Sequence, residues 1–201
     1  MRHDRATGGP QGAARLDPGQ VQVLFADLQG KLPENSRTVA PTSMAETAAG
    51  LAKIADLLGL PMCHSVAAQA GMDPTIIAPL APYANEENTY PRVTAGALMD
   101  ASTRQALAAA HRPVLIVAGF AAEVVVLQTV LDAVAEGYTV FYAVDAIGAL
   151  SARTEQAVFR QMDAVGAMPA SVASLAARLA PDFDRAPGTD VLEVMLSLPH
   201  E

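Results

Sequence analysis

The side chains that could do chemistry in this sequence are few, and several stand beside short apolar runs. Asp27 follows the run Val21–Ala26, Lys31 comes four residues later, and Asp145 follows the run 138–144. Asp145 could face a pocket, although an aspartate at a strand end often caps the turn that follows, and we favour that interpretation. Lys31 could reach the crevice beside Asp27 or stay solvated in a loop, which is the interpretation that we favour.

Cys63 and His64 both lie inside the apolar run 61–66. Cys63 is the only cysteine, which excludes an internal disulfide and a cysteine-rich zinc site, and we expect it to be a core residue. His64 could be a base or a ligand, but no other histidine stands at metal-binding spacing. We therefore expect a hydrogen-bonded strand histidine, with no metal and no cofactor.

Apolar runs alternate with helical patterns along the chain, and this alternation predicts an α/β protein. One helix is expected over 43–58, with Ser43 as its N-cap and Glu46 completing a capping box. Because the strands are too apolar to leave either face bare, we predict three α/β/α layers around a parallel sheet of about six strands. The other expected helices cover 100–110, 123–135 and 151–165, and the expected strands cover 21–26, 61–66, 89–93, 113–119 and 138–144.

The length of 201 residues fits one domain. Residues 1–19 have no apolar run and predict a flexible tail, residues 20–182 form the domain, and residues 183–201 form a C-terminal extension. Within the extension, Val191, Val194, Met195 and Leu198 fall on one helical stripe. This stripe predicts either a last helix on its own domain or an arm that packs on a neighbouring subunit.

The formal net charge of −8 disfavours nucleic acid as a partner, since phosphate contacts need clustered Lys and Arg. It also disfavours a basic helix on a membrane surface. No secretory signal or membrane-spanning run is present in the sequence. We expect a cytoplasmic protein that binds a small molecule.

Four segments, in order along the chain, resemble the isochorismatase-like family, also called the cysteine hydrolases. The first is Phe-Ala-Asp-Leu-Gln at 25–29, and the second is Ala-Gly-Phe-Ala-Ala-Glu-Val-Val-Val-Leu-Gln-Thr at 118–129. The third is Gly-Tyr-Thr-Val at 137–140, and the fourth is Val-Asp-Ala at 144–146. The family is known for an aspartate, a lysine and a cysteine at the carboxyl edge of a parallel sheet.

The resemblance implies roles for individual residues of this chain. Asp27 matches the acid–base aspartate, Glu123 matches the acidic residue two before the nucleophile, and Val125 stands at the position of the nucleophilic cysteine. A valine cannot form a thioester, so the cysteine-dependent route is ruled out. Arg92 is the nearest match to the lysine, with Lys31 as the alternative. The residues expected to line the pocket are Gln29, Ala121, Ala122 and Val125.

Two functions follow from this pattern. The first is a hydrolase of a small carbonyl, amide or enol-ether compound in which Asp27 is the general acid or base and Arg92 or Lys31 holds an anion. The second is a pseudoenzyme that keeps the fold as a small-molecule-binding or assembly module. The family commonly forms oligomers, so the resemblance also implies self-association of this chain.

Overall fold

A six-stranded sheet forms the centre of the molecule, and all of its strands run parallel. The computed structural model describes residues 15–199. With strands numbered along the chain, their order across the sheet is β3-β2-β1-β4-β5-β6. The strands are β1 Val21–Ala26, β2 Met62–Ala67, β3 Thr89–Arg92, β4 Val114–Phe120, β5 Thr139–Gly148 and β6 Met168–Ala170.

Helices cover both faces of the sheet. In β1, Val23 and Phe25 belong to one hydrophobic cluster, whereas Leu24 and Ala26 belong to another on the opposite face. This alternation buries every residue of the strand and confirms the predicted three-layer architecture. None of the helices in the described residues is long and apolar enough to cross a membrane. They are α1 Pro41–Leu57, α2 Ala101–Ala109, α3 Leu127–Ala135, α4 Ala152–Ala164, α5 Val172–Leu179 and α6 Gly188–Leu196.

The start of α1 differs from the prediction. The helix begins at Pro41 with Ala40 as its N-cap, so the expected capping role of Ser43 is wrong. Proline fits the first turn because its fixed φ suits a helix and its missing N–H would have no helical partner there. By contrast, Asp100 caps α2 by accepting a hydrogen bond from the Thr103 amide at 2.9 Å.

Two elements near the end of the domain were not predicted, namely β6 and α5. The strand has three residues and contains Pro169, so it is too short to show a period of two. The loop 71–88 also contains a 3₁₀ turn at Ala81–Tyr83. These differences concern short segments whose conformation depends on their neighbours.

The C-terminal stripe packs on its own chain. Val191, Val194 and Leu198 join the core cluster that also contains α1 residues. A Cβ atom added to Gly50 in α1 would lie 2.4 Å from Cδ2 of Leu198, so glycine makes room for this contact. The predicted tail at 1–19 falls mostly outside the described residues.

The chain changes direction across the sheet between β1 and β4, and a crevice opens beyond their carboxyl ends. β1 is followed outward by β2 and β3 on one side, and β4 begins the other side. At the end of this pair, a Cβ atom on Gly119 would lie 2.2 Å from the Ala26 carbonyl oxygen, and φ of Gly119 is +152°. Glycine therefore allows the close approach of two strands at the point where α/β sheets bind ligands.

Candidate active site

A cavity of about 300 Å³ opens at the carboxyl ends of the first four strands. Residues from the ends of β1, β2, β3 and β4 contribute to it, together with loops from both sides of the sheet. Its wall is mostly apolar and also includes polar side chains from strand ends and loops. The lining residues are Asp27, Leu32, Asn35, Ala67, Gln69, Met72, Arg92, Thr94, Ala95, Phe120, Ala121, Val124 and Leu150.

Asp27 and Arg92, which are 65 residues apart in sequence, meet on the wall of this cavity. Nη2 of Arg92 donates a hydrogen bond to Oδ2 of Asp27 at 2.6 Å. Asp27 is 8% exposed and Arg92 is 4% exposed, so this is a buried ion pair. The structure therefore pairs Arg92 with the aspartate. Lys31 is exposed and lies in a neighbouring cavity with Gly71 and Asp73.

Arg92 is held by three separate groups of the protein. Its Nε donates to Oγ of Ser65 at 3.0 Å, and its Nη1 donates to the carbonyl oxygen of Thr94. Its third nitrogen, Nη2, donates to Asp27. Because all three nitrogens are engaged, the guanidinium has a fixed orientation and in turn fixes the carboxyl group.

The environment of Asp27 favours its protonated form more than water does. Its φ of +55° turns the chain sharply after β1, in a conformation that aspartate tolerates better than most residues. Within the described residues, Oδ1 of Asp27 is buried and has no hydrogen-bond partner. Burial raises the pKa of the Asp27 carboxyl above its ordinary value, and the charge of Arg92 opposes this effect. The carboxyl is thus suited to hold and release a proton.

Gln29 lies behind the cavity wall and organises the backbone next to it. Its Nε2 donates to the carbonyl oxygens of Ala67 at 2.7 Å and Asp73 at 2.9 Å, and its Oε1 accepts a hydrogen bond from the Ala67 amide. The side chain is fully buried and is not among the residues that line the cavity. Gln29 therefore supports the site without facing the ligand space that we expected it to line.

The turn after β4 places Val124, not Val125, on the cavity wall. Residues Ala122–Val126 form one π-helical turn ahead of α3. Val124 is 48% exposed and lines the cavity, whereas Val125 and Ala122 are fully buried in the hydrophobic core. Of the four residues expected to line the pocket, only Ala121 does so. The wider π turn changes which side chains face outward, and sequence spacing does not show this.

Glu123 ties this turn to the loop before α4. Its Oε1 accepts hydrogen bonds from the backbone amide of Leu150 at 2.9 Å and from the hydroxyl of Thr154. Within the described residues, its Oε2 is buried and has no partner. Since Val124 and Leu150 both line the cavity, Glu123 joins two parts of the apolar wall.

The remaining chemical candidates have structural roles. Burial raises the pKa of the Cys63 thiol to about 12, so this cysteine is a poor nucleophile. His64 stacks on Phe25 with ring centroids 5.1 Å apart, and burial lowers its pKa to about 4. The carboxylate of Asp145 accepts from the Val172 amide at 3.0 and 3.1 Å, at the first residue of α5. The placements of Cys63 and His64 agree with the structural interpretations that we favoured. The expected role of Asp145 in the turn after its strand is wrong, because Asp145 lies inside β5 and binds the start of α5.

Several lining residues were not identified from the sequence. Asn35, Gln69, Met72, Thr94 and Leu150 reach the cavity from loops or their edges. They share no motif and no spacing, so only the fold reveals them. No group of three or more His, Cys, Asp or Glu side chains that could hold a metal ion occurs in the described part of the chain.

Comparisons with known proteins agree with this architecture. The family model for the isochorismatase domain matches residues 22–174. None of the curated protein sequences matches the chain. YcaC from Pseudomonas aeruginosa, solved with hexane-2,5-diol and covalent acrylamide, is 26% identical, with a TM-score of 0.84 over 90% of this chain and 92% of that chain.

Two further solved structures have the same fold. The YcaC gene product from Escherichia coli, described as an octameric hydrolase of unknown specificity, is 25% identical, with a TM-score of 0.81 over 91% of this chain and 95% of that one. The MAR1 ribonuclease from Caenorhabditis elegans is 23% identical, with a TM-score of 0.83 over 92% and 95% of the two chains, and it shows the fold alone. Since the family model spans most of the domain, this chain belongs to the isochorismatase family.

Proposed function

We propose that this protein hydrolyses a small carbonyl, amide or enol-ether compound without a cysteine nucleophile, with Asp27 as general acid and base. The observation that supports this most is the position of Asp27. It is the one carboxylic acid among the described residues that line the cavity, and Arg92 holds it in place. A relative solved with hexane-2,5-diol and covalent acrylamide adds support for a small-molecule ligand.

Water is the nucleophile in this proposal. The hydroxyl of Thr94 donates to the carbonyl oxygen of Gly96 at 3.0 Å, and Val124 offers no nucleophilic atom. For an enol ether, Asp27 transfers its proton to the unsubstituted carbon, and water adds to the resulting oxocarbenium carbon. The hemiketal then breaks into an alcohol and a carbonyl compound, and Asp27 regains a proton. For an amide, the ionised Asp27 accepts a proton from water as the water oxygen bonds to the carbonyl carbon. Asp27 then donates this proton to the nitrogen as the C–N bond breaks, which releases ammonia or an amine and a carboxylic acid.

Turnover by purified protein tests the assignment. The panel contains amides, carbamoyl compounds and enol ethers, isochorismate among them, each assayed with wild type and Asp27→Asn. We expect the substitution to lower kcat by about 100- to 10,000-fold, since general acid–base groups contribute that much. Asp190→Asn, on the exposed side of α6, is the matched control and keeps full activity. Equal turnover by wild type and Asp27→Asn would disprove the role of Asp27.

A second function, a binding module without catalysis, is supported by the turn after β4. Val125 is packed in the core, and no thiol or unengaged hydroxyl faces the cavity among its described lining residues. A cavity of this size would still bind a small molecule. Binding of a panel compound without turnover, by wild type and Asp27→Asn alike, would favour this function over hydrolysis.

We also propose that the chain self-associates. The support is the Escherichia coli relative, which is described as octameric. Size-exclusion chromatography with light scattering would give the mass of the assembly. A mass equal to that of one 20.8 kDa chain would disprove the proposal. Truncation of residues 187–201 then shows whether α6 contributes to the assembly or only to the stability of its own subunit.

A further inference from the structure

The charges on the cavity wall cancel each other. Among the described lining residues, Asp27 and Arg92 are the charged ones, and they pair with each other at 2.6 Å. The other polar lining side chains are the uncharged Asn35, Gln69 and Thr94. The wall therefore offers an entering ligand no net charge when the pair is ionised.

Arg92 is a poor site for an anion while Asp27 is ionised. Three of its five N–H groups already donate to the protein, and one of the acceptors is the carboxylate itself. An anionic ligand that approached the guanidinium would also approach the Asp27 carboxylate, and like charges repel strongly where water is excluded. No second cation lines this cavity among the described residues, because Lys31 lies in the neighbouring cavity instead.

A further negative charge lies close to the apolar wall. Glu123 stands between Ala121 and Val124 in sequence, and its Oε2 is buried without a partner among the described residues. Its neighbour Val124 and its hydrogen-bond partner Leu150 both line the cavity. An anion bound in the cavity would therefore lie near the Asp27 carboxylate on the wall and near the Glu123 carboxylate behind Val124 and Leu150.

We infer that this cavity selects an uncharged small molecule with one polar end and an apolar body. The polar end lies against the Asp27 carboxyl, and the body lies against Phe120, Val124 and Leu150. A volume of about 300 Å³ lies at the low end of the range for small-molecule pockets, so the molecule is small. This inference rests on the proposed function insofar as the same cavity is the reaction site, and it names the substrate class.

A matched pair of probes tests the inference, namely 3-methylbutanamide and 3-methylbutanoate, which share a shape and differ in charge. Ligand-observed NMR titrations at pH 7.5 give the affinity of each probe for the full chain. We expect wild type to bind the amide about tenfold more tightly than the carboxylate, or better. Equal or tighter binding of the carboxylate would overturn the inference, and so would the absence of saturable amide binding.

Two variants locate the cause of the selectivity. Asp27→Asn leaves Arg92 without its counter-charge, so the affinity for the carboxylate should rise about tenfold while that for the amide changes little. Glu123→Gln removes the charge behind the apolar wall and should raise the affinity for the carboxylate by a smaller factor. This variant still tests the inference if Asp27→Asn does not fold. No gain for the carboxylate in either folded variant would overturn the inference. Binding of the amide together with no turnover of any panel compound contradicts the proposed hydrolysis only, whereas turnover of an anionic substrate contradicts this inference only.

Discussion

The two sides of the cavity are built on different principles. On one side, Asp27 and Arg92 are buried charges, and each depends on the other and on groups from β2 and the loop after β3. On the other side, the turn after β4 presents Ala121 and Val124, with Val125 packed behind them in the core. The first side is a network of specific partners, and the second is a packed apolar surface.

The resemblance implies that Val125 stands at the position of the family's cysteine and Asp27 at that of its acid, and this difference would explain such a pattern. A buried thiol packs much as a small apolar side chain does, so valine can replace it at little cost in stability. Removal of either member of a buried ion pair leaves an uncompensated charge, which is costly. Substitution of a reactive side chain should therefore cost less stability on the apolar side than on the polar side.

Single cysteine substitutions at positions 124 and 125 test whether the apolar turn presents one side chain to the cavity and packs the other in the core. Val124→Cys should react quickly with iodoacetamide, because this position is 48% exposed, whereas Val125→Cys should react slowly because position 125 is fully buried. We expect a rate ratio on the order of 100, since labelling at 125 requires local opening. Peptide mass spectrometry gives both rates, with buried Cys63 as internal control. Fast labelling at 125 would mean that this position faces the cavity.

The polar side predicts a large change in stability. Arg92→Met leaves the Asp27 carboxyl buried without its cation and should lower the free energy of unfolding by about 3–5 kcal/mol. Arg104→Met is the matched control, because Arg104 pairs with Glu136 at 2.8 Å but is 50% exposed, and its loss should cost about 0–1 kcal/mol. Urea titrations of the three proteins give the comparison. Similar losses for both variants would contradict the distinction between buried and exposed pairs.

His64 is a buried base without a counter-charge, so it should make the stability of the protein depend on pH. Burial lowers the pKa of His64 to about 4, so the unfolded chain binds a proton that the folded chain does not as pH falls below about 6.5. Stability should decrease across that window, by up to about 3 kcal/mol. Asp27 acts in the opposite direction, since its raised pKa adds stability at low pH that is lost as pH rises.

The variant His64→Gln separates these two contributions. Its side-chain amide can still donate to the Tyr83 carbonyl oxygen, which lies 3.2 Å from Nε2 of His64, but it does not titrate. Thermal unfolding of wild type and variant between pH 4 and 7 should show a flatter profile for the variant. Identical profiles would mean that His64 is not the group responsible.

The sequence predicts the polar side of the site better than the apolar side. Asp27 follows a clearly apolar strand, and Arg92 ends the strand two places away in the sheet, so strand ends bring them together. The position of Val125 could not be predicted, because one π-helical turn alters the face that each residue presents. Leu150 and Met72 belong to loops, and their approach to the cavity depends on contacts far away in sequence.

Gln29 extends the sheet without adding a strand. Beyond the last residue of β1, its side-chain amide offers one donor and one acceptor to Ala67, which are the two bonds that another backbone unit would supply. On its β1 side the end of β2 is therefore hydrogen-bonded although β1 has already ended, while Arg92 of β3 pairs with Ala67 on the other side. In hydrogen–deuterium exchange, the Ala67 amide should be protected like one inside the sheet, and Gln29→Ala should expose it while the centre of β2 remains protected.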